Sequence, residues 1–283
     1  LKTILYTAIA LLAFAGNSIL CRYALKGDVI DASSFTAVRL ISGALFLVIL
    51  IMLKHRGRFN FQEGSWSSAC YLFIYMITFS FAYITLDTGV GALILFGAVQ
   101  VTMIFMNVLK GKMLRPIEWV GLLVAFSGLT LLLLPCASTP PLVGFLLMGI
   151  SGCAWGFYTL AGKQAKNPLV NTANNFIRTL PFVALLIIFT LEMHNISHEG
   201  LLLAIVSGAL TSGLGYAIWY AALKGLNVTQ AAILQLTVPI IATFGGVVFT
   251  HETITAQLLI SSLLVLGGIL IVTLGTHAKG EKR

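Results

Sequence analysis

The chain carries one hydrophobic pattern twice. At a spacing of 140 residues Gly16 pairs with Gly156, Ala92 with Ala232, Val108 with Val248 and Gly128 with Gly268. Arg39 pairs with Arg178 and Tyr83 with Tyr220 once small gaps are allowed. The pairs keep their order, with similar segment lengths between them, which a Gly- and Leu-rich chain does not give by chance as easily as single matches. A repeat with an odd number of membrane spans enters the bilayer upside down relative to its partner. Inverted repeats of that kind underlie many alternating-access transporters.

The chain is 58% apolar and 9% charged, against roughly 45–50% and 25% in ordinary soluble domains. A soluble core cannot use so much apolar surface, and a bilayer can. At about 20 residues per spanning helix, 283 residues leave room for ten helices and almost nothing else. The pattern predicts an all-α membrane protein with helices near 3–25, 33–53, 66–86, 90–109, 117–134, 142–161, 172–191, 201–223, 228–249 and 254–275. With those spans, 13 Lys and Arg fall on the side of the N-terminus, and only Arg22 and Lys26 on the other. Arg39 and Arg178 lie within helices. The asymmetry follows the positive-inside rule and predicts that both termini are cytoplasmic. The net charge of +8 thus belongs to membrane topology, with no nucleic-acid partner implied.

Punctuation separates the halves at Ser138-Thr139-Pro140-Pro141, giving five-helix units at 1–137 and 142–283. Five is odd, so the second unit is expected to be inverted. The first apolar stretch is longer than a signal-peptide core and lacks a cleavage site, so it reads as a retained helix. Cys21, Cys70, Cys136 and Cys153 show no paired spacing and read as packing residues.

Site candidates are polar or aromatic side chains inside apolar helices. Asn17, Gln100 and Gln235 supply uncharged hydrogen-bonding groups, with Gln230 beside them. Trp155, Tyr158, Tyr216, Trp219 and Tyr220 lie in the sixth and eighth helices, and Tyr75 and Tyr83 in the third. Trp155 and Tyr158 share a helix face, as do Tyr216, Trp219 and Tyr220. Aromatic walls with a few orienting polar groups make pockets; interfacial belts and interhelical glue are the alternative use of the same residues. Arg39 and Arg178 sit early in the second and seventh helices and fit a gate or an anion contact. An interfacial anchor or an interhelical hydrogen bond is the plainer reading. Pro239 removes a backbone donor and is expected to break the ninth helix. Gly152-xxx-Gly156 and Gly208-xxx-Ser212 allow close helix approach.

Enzyme signals are missing. His55, His194, His198, His251 and His277 fall in expected loops or tails, no GxSxG occurs, and no carboxylate lies near the middle of an expected helix. His194 and His198 have helical metal-ligand spacing but sit in an expected solvated loop. No phosphate-cradling loop is present. No cofactor, no metal and no catalytic residue is expected. Glu252 is the nearest thing to a proton-relay group, although its position suits helix termination.

Several segments resemble the EamA-type domain of the drug/metabolite transporter superfamily. Ala15-Gly16-Asn17-Ser18 with Arg22, and Trp155-Gly156 in the second copy, stand where that family carries a Trp-Gly-Ser-Asn run and a basic residue. Arg39 and Arg178 match an early arginine, and Ala232, Pro239 and His251-Glu252 match the fourth-helix pattern. Gly121/Gly128 and Gly267/Gly268 match a Gly-rich fifth helix. The first copy departs at Val99, where the family has Pro, and at Lys112, where it has Glu. The resemblance implies a central cavity lined by the first, third, fourth, sixth, eighth and ninth helices. It also implies export of a small organic metabolite, such as an amino acid or related amphipathic compound. One rival is an exchanger of sugar phosphates or nucleotide sugars, which needs Arg39 or Arg178 in the cavity. Another is a non-transporting sensor or assembly subunit.

Overall fold

A computed structural model describes residues 2–54, 63–109, 111, 115–132, 141–163, 165–190, 195–226, 231 and 234–277. His55, Lys112, Cys136, His194, Gln230 and Ala232 lie outside the described residues. Ten helical spans follow one another among those described: α1 (Lys2–Lys26), α2 (Ala32–Lys54), α3 (Trp66–Tyr83), α4 (Thr88–Leu109), α5 (Pro116–Leu132), α6 (Leu142–Gly162), α7 (Pro168–Phe189), α8 (His198–Leu223), α9 (Thr237–Thr250) and α10 (Ala256–His277). Six of them, α1, α2, α4, α6, α7 and α8, are long and apolar enough to cross a membrane. The outer surface is apolar as well. Leu53, Phe189 and Leu263 are each at least three-quarters exposed, at 77%, 84% and 75%, an arrangement suited to lipid and ruinous in water.

Helix starts follow local chemistry. Ser65 accepts the Ser68 amide at 3.1 Å ahead of α3, and Ser197 accepts the Gly200 amide at 3.0 Å ahead of α8. These are side-chain N-caps that occupy otherwise orphaned amides. The expected start of α7 near residue 172 moves back to Pro168, because Asn167 caps the helix and proline occupies its first turn. Proline is favoured there, since its missing N–H has no partner to lose. Arg178 is therefore deeper along its helix than the sequence reading placed it. His198 opens α8 and His277 closes α10, so neither lies in a loop.

Turns at each end hold one another. Ile30 in the α1–α2 turn pairs antiparallel with Ile196 in the α7–α8 turn, and the Asp31 amide reaches Asn195 O at 3.0 Å. At the opposite end, Glu63 Oε2 before α3 accepts the Asn167 amide at 3.1 Å, and Lys224 Nζ after α8 reaches Lys166 O at 2.7 Å. The two halves interleave: α6 packs on α3 and α4, α8 on α1 and α2, and α9 on α1 and α4.

The most extensive helix pair is α5 with α10. There a Cβ on Gly121 would lie 2.6 Å from Gly268 O and 2.9 Å from the Val272 amide. Backbone atoms cannot step aside, so Gly121→Val is expected to destabilise the protein by about 1–3 kcal/mol. Gly267 faces open space, and Gly267→Ala is expected to be neutral or slightly stabilising. Thermal unfolding of the purified variants in detergent measures both.

Two irregularities mark the second half. Ser207–Leu214, in the middle of α8, is π-helical. A turn at Leu236 also interrupts the helical run just before α9, although its backbone stays in the right-handed helical region. Pro239 lies in the first turn of α9, where it cannot donate back to the Gln235 carbonyl, so the helix begins anew around it. Of the described cysteines, Cys21 is buried, whereas Cys153 is exposed and does not pack in the core.

Candidate functional site

All ten polar and aromatic residues singled out for substrate contact are buried, but they do not form one group. Five residues meet at the centre: Asn17 of α1, Arg39 of α2, Tyr75 of α3, Trp155 of α6 and Tyr216 of α8. Arg39 is 0% exposed. Its Nε donates to Ser212 Oγ at 2.8 Å, and its Nη2 to the hydroxyls of Tyr216 at 2.9 Å and Tyr75 at 3.3 Å. Its guanidinium carbon stands 5.0 Å from the Phe79 ring centroid and 5.6 Å from that of Tyr75, within cation–π range. An interfacial anchor is thereby ruled out for Arg39. It is an interhelical hydrogen-bonding centre.

Asn17 organises the same region. Its Oδ1 accepts from Ser207 Oγ at 2.7 Å and Thr211 Oγ1 at 3.3 Å, while its Nδ2 donates to Tyr75 OH at 3.3 Å. The π-helical turn explains how one strip of α8 serves both Asn17 and Arg39. In an α-helix Ser207 and Ser212, five apart, would point about 140° away from each other. The i→i+5 bonding of a π-turn brings them to one side. Gly208 within that turn lies hard against the carbonyl of Arg39 and Ser42 Oγ, so a side chain there would separate α2 from α8.

Aromatic rings enclose the polar centre. The Trp155 centroid is 4.6 Å from Tyr216, 4.9 Å from Tyr75, 5.5 Å from Tyr158 and 5.6 Å from Phe14. Phe14 also meets Trp219 at 5.6 Å. Tyr158 and Tyr220 continue the stack toward the N-terminal end of the molecule, their rings 5.8 Å apart and Tyr220 OH donating to Tyr158 O at 3.2 Å. Gln100 and Gln235 are buried on α4 and just ahead of α9; Gln235 Oε1 has no hydrogen-bond partner among the described residues. Arg178 is not in the centre. Its Nη1 donates to Glu63 O at 2.9 Å, tying α7 to the turn before α3.

Tyr83 belongs to a separate cluster at the opposite end. Its carbonyl and that of Ile84 each accept from Arg22 Nη1 at 3.0 Å. Arg22 Nη2 pairs with Asp87 Oδ1 at 3.0 Å and its Nε with Glu252 Oε1 at 3.4 Å. Glu252 in turn accepts the Thr88 amide at 3.0 and 2.9 Å and Thr88 Oγ1 at 2.9 Å. Its carboxylate therefore caps α4 from another part of the chain, where the helix dipole favours negative charge. His251 makes this possible by turning left-handed at φ 53° directly after α9. The ends of α1, α3 and α9 and the start of α4 are fastened together.

Phe14, Phe79, Ser207 and Thr211 take part in the centre without having been singled out by sequence, and Ser212 was noted only for close helix approach. Serine and phenylalanine inside apolar helices carry no distinguishing signal, and the π-turn that aligns the serines has no sequence signature beyond its glycines.

The EamA-like transporter family matches residues 1–134 and again 142–274. The chain belongs to that family. The uncharacterized protein PA1977 of Pseudomonas aeruginosa is 49% identical over 271 residues, spanning 96% of this chain and 94% of its own length. An uncharacterized transporter of Archaeoglobus fulgidus is 25% identical, covering 82% of this chain and 84% of itself. The uncharacterized transporter YoaV of Bacillus subtilis is 21% identical, with 84% and 86% covered. A solved crystal structure shares the fold at a TM-score of 0.67 and 18% identity, over 96% of this chain and 97% of that one. As an EamA-like member of the drug/metabolite transporter superfamily, the chain is a multi-pass membrane transporter.

Proposed function

We propose that the chain is a secondary transporter that exports small organic metabolites, amino acids or related amphipathic compounds, across the bacterial inner membrane. The observation that carries this reading is the buried polar–aromatic centre, built by α1, α2 and α3 of the first half and α6 and α8 of the second. Helices of both halves must separate there for a solute to enter. The interlocked turns at both ends are the seals that would open in alternation. The two halves act as inverted five-helix repeats: α1 starts at the N-terminal end, and α6 starts at the end where the α1–α2 and α7–α8 turns meet. With 13 basic residues on the N-terminal side, that end is cytoplasmic by the positive-inside rule.

Radiolabelled amino acids and related amphipaths offered to proteoliposomes of known orientation test the reading. Saturable flux that stops on loss of the centre is the expected result. Folded, correctly oriented protein that moves no candidate would instead favour a sensor or assembly subunit. Trp155→Phe is expected to keep the protein folded and raise the transport KM by a few-fold. One of the Trp155 ring contacts is worth about 0.5–1.5 kcal/mol, and the smaller ring loses part of that. Initial-rate measurements over a substrate series give the value.

A further inference from the structure

We propose that the central cluster binds one organic monocarboxylate, taken up by the unpartnered Nη1 of Arg39. This rests on the transport reading above and goes further by fixing the ligand's charge. Arg39 has five N–H donors, and its Nε and Nη2 are engaged with Ser212, Tyr75 and Tyr216. Nη1, with two N–H groups, is buried and has no hydrogen-bond partner among the described residues. Every acceptor around the guanidinium is a neutral hydroxyl. Arg22 holds ion pairs with Asp87 and Glu252, whereas among the described residues no carboxylate lies within 4 Å of Arg39. A buried cation without a counter-charge is strongly unfavourable, while charge-assisted bonds from arginine to a carboxylate are strong and oriented. The missing anion is supplied by the ligand.

The surroundings restrict that ligand further. One cation neutralises one negative charge, so a phosphate dianion would enter with a charge in excess. The other two arginines inside described helices are committed elsewhere, Arg22 to Asp87 and Glu252 and Arg178 to Glu63 O. An ammonium group would meet the like charge of Arg39 at the centre, and Asn17 Oδ1 already accepts from Ser207 and Thr211. The rings of Phe14, Trp155 and Tyr216 meet beside Arg39, and they suit a flat or branched apolar body. The ligand is thus an amphipath with one carboxylate at one end, and a zwitterionic amino acid is the weaker relative of it.

The test uses the full chain in nanodiscs, read by calorimetry and by ligand-induced thermal shift. The probes are 3-phenylpropionate, 4-methylpentanoate, benzoate, L-phenylalanine, 2-phenylethylamine, phenyl phosphate and sodium chloride. At least one monocarboxylate is expected to bind saturably, L-phenylalanine more weakly, and 2-phenylethylamine not at all. Arg39→Lys, which keeps the charge but not the planar fork, is expected to weaken carboxylate binding by about tenfold or more. The wild-type probe series stands even if that variant folds poorly. Failure of all three monocarboxylates, equal binding of 2-phenylethylamine, tighter binding of phenyl phosphate, or equal stabilisation by chloride alone would overturn the proposal. So would an unchanged affinity in folded Arg39→Lys. Flux assays separate the two readings. Carboxylate binding that needs Arg39 without flux removes the transport reading and leaves the site. Flux of an amine or neutral solute that survives Arg39→Lys leaves transport and removes the site.

Discussion

Glu252→Ala is expected to lower stability by about 3–5 kcal/mol, the usual cost of removing one partner from a buried ion pair. The carboxylate is buried together with Arg22, their side chains 7% and 8% exposed, and it also holds the backbone amide and hydroxyl of Thr88. Its loss orphans the start of α4 and leaves Arg22 with carbonyls and Asp87. Asp87 cannot replace it, because its side chain is 53% exposed and exposed pairs contribute only about 0–1 kcal/mol. Asp87→Asn is accordingly expected to change the unfolding midpoint little. Beyond stability, Glu252→Ala is expected to open this end. A cysteine placed at Thr243, which lies against Gly89 of α4, should react with a membrane-impermeant maleimide added on the Arg22 side faster in the variant than in the parent. Equal labelling rates and an unchanged midpoint would remove the latch from the account.

Gly208→Ala is expected to abolish most transport while leaving the fold recognisable. The new methyl group meets the Arg39 carbonyl, which α2 cannot move, and the Ser42 hydroxyl. Overpacking of this kind costs about 1–3 kcal/mol. The functional loss is larger than that figure suggests, because the displaced helix is the one carrying Ser212 and Tyr216 to Arg39. Losing one hydrogen bond to a buried charge is worth about 1.5–3 kcal/mol, or roughly tenfold or more in binding. Ala substitution at Gly149, where nothing lies within 4 Å, supplies the matched control. Flux in proteoliposomes and thermal unfolding together distinguish a displaced site from a collapsed protein.

The spans were legible because lipid demands long apolar runs, and their ends because Ser, Asn, Pro and Gly have local jobs that do not depend on the fold. The start of α7 was expected near residue 172, four residues late, because the signal of Asn167-Pro168, a cap followed by a first-turn proline, was not used. The aromatic candidates on α6 and α8 were legible as types, and their grouping was not. Tyr83 looks like Tyr75 on the sequence, yet one fastens an end and the other touches Arg39. Arg39 and Arg178 match as a repeat pair, but Arg39 reaches hydroxyls on two other helices and Arg178 a loop carbonyl. Such differences depend on which helices become neighbours, and hydropathy carries no record of that. Glu252 could be placed at a helix end, while its service to a helix some 160 residues earlier in the chain is a purely tertiary fact.

The π-helical turn in α8 gives that span a spare residue. A turn bonded i→i+5 holds one residue more than an α-turn. If Ser207–Leu214 tightened to α geometry, everything after it would rotate by about 100°, as a screw advances when a thread is taken up. Tyr216, Trp219 and Tyr220 all lie beyond that point. A single change of pitch would therefore turn the Tyr216 hydroxyl away from Arg39 and carry the Tyr158–Tyr220 contact with it, so the polar centre and the N-terminal end are geared to one shaft.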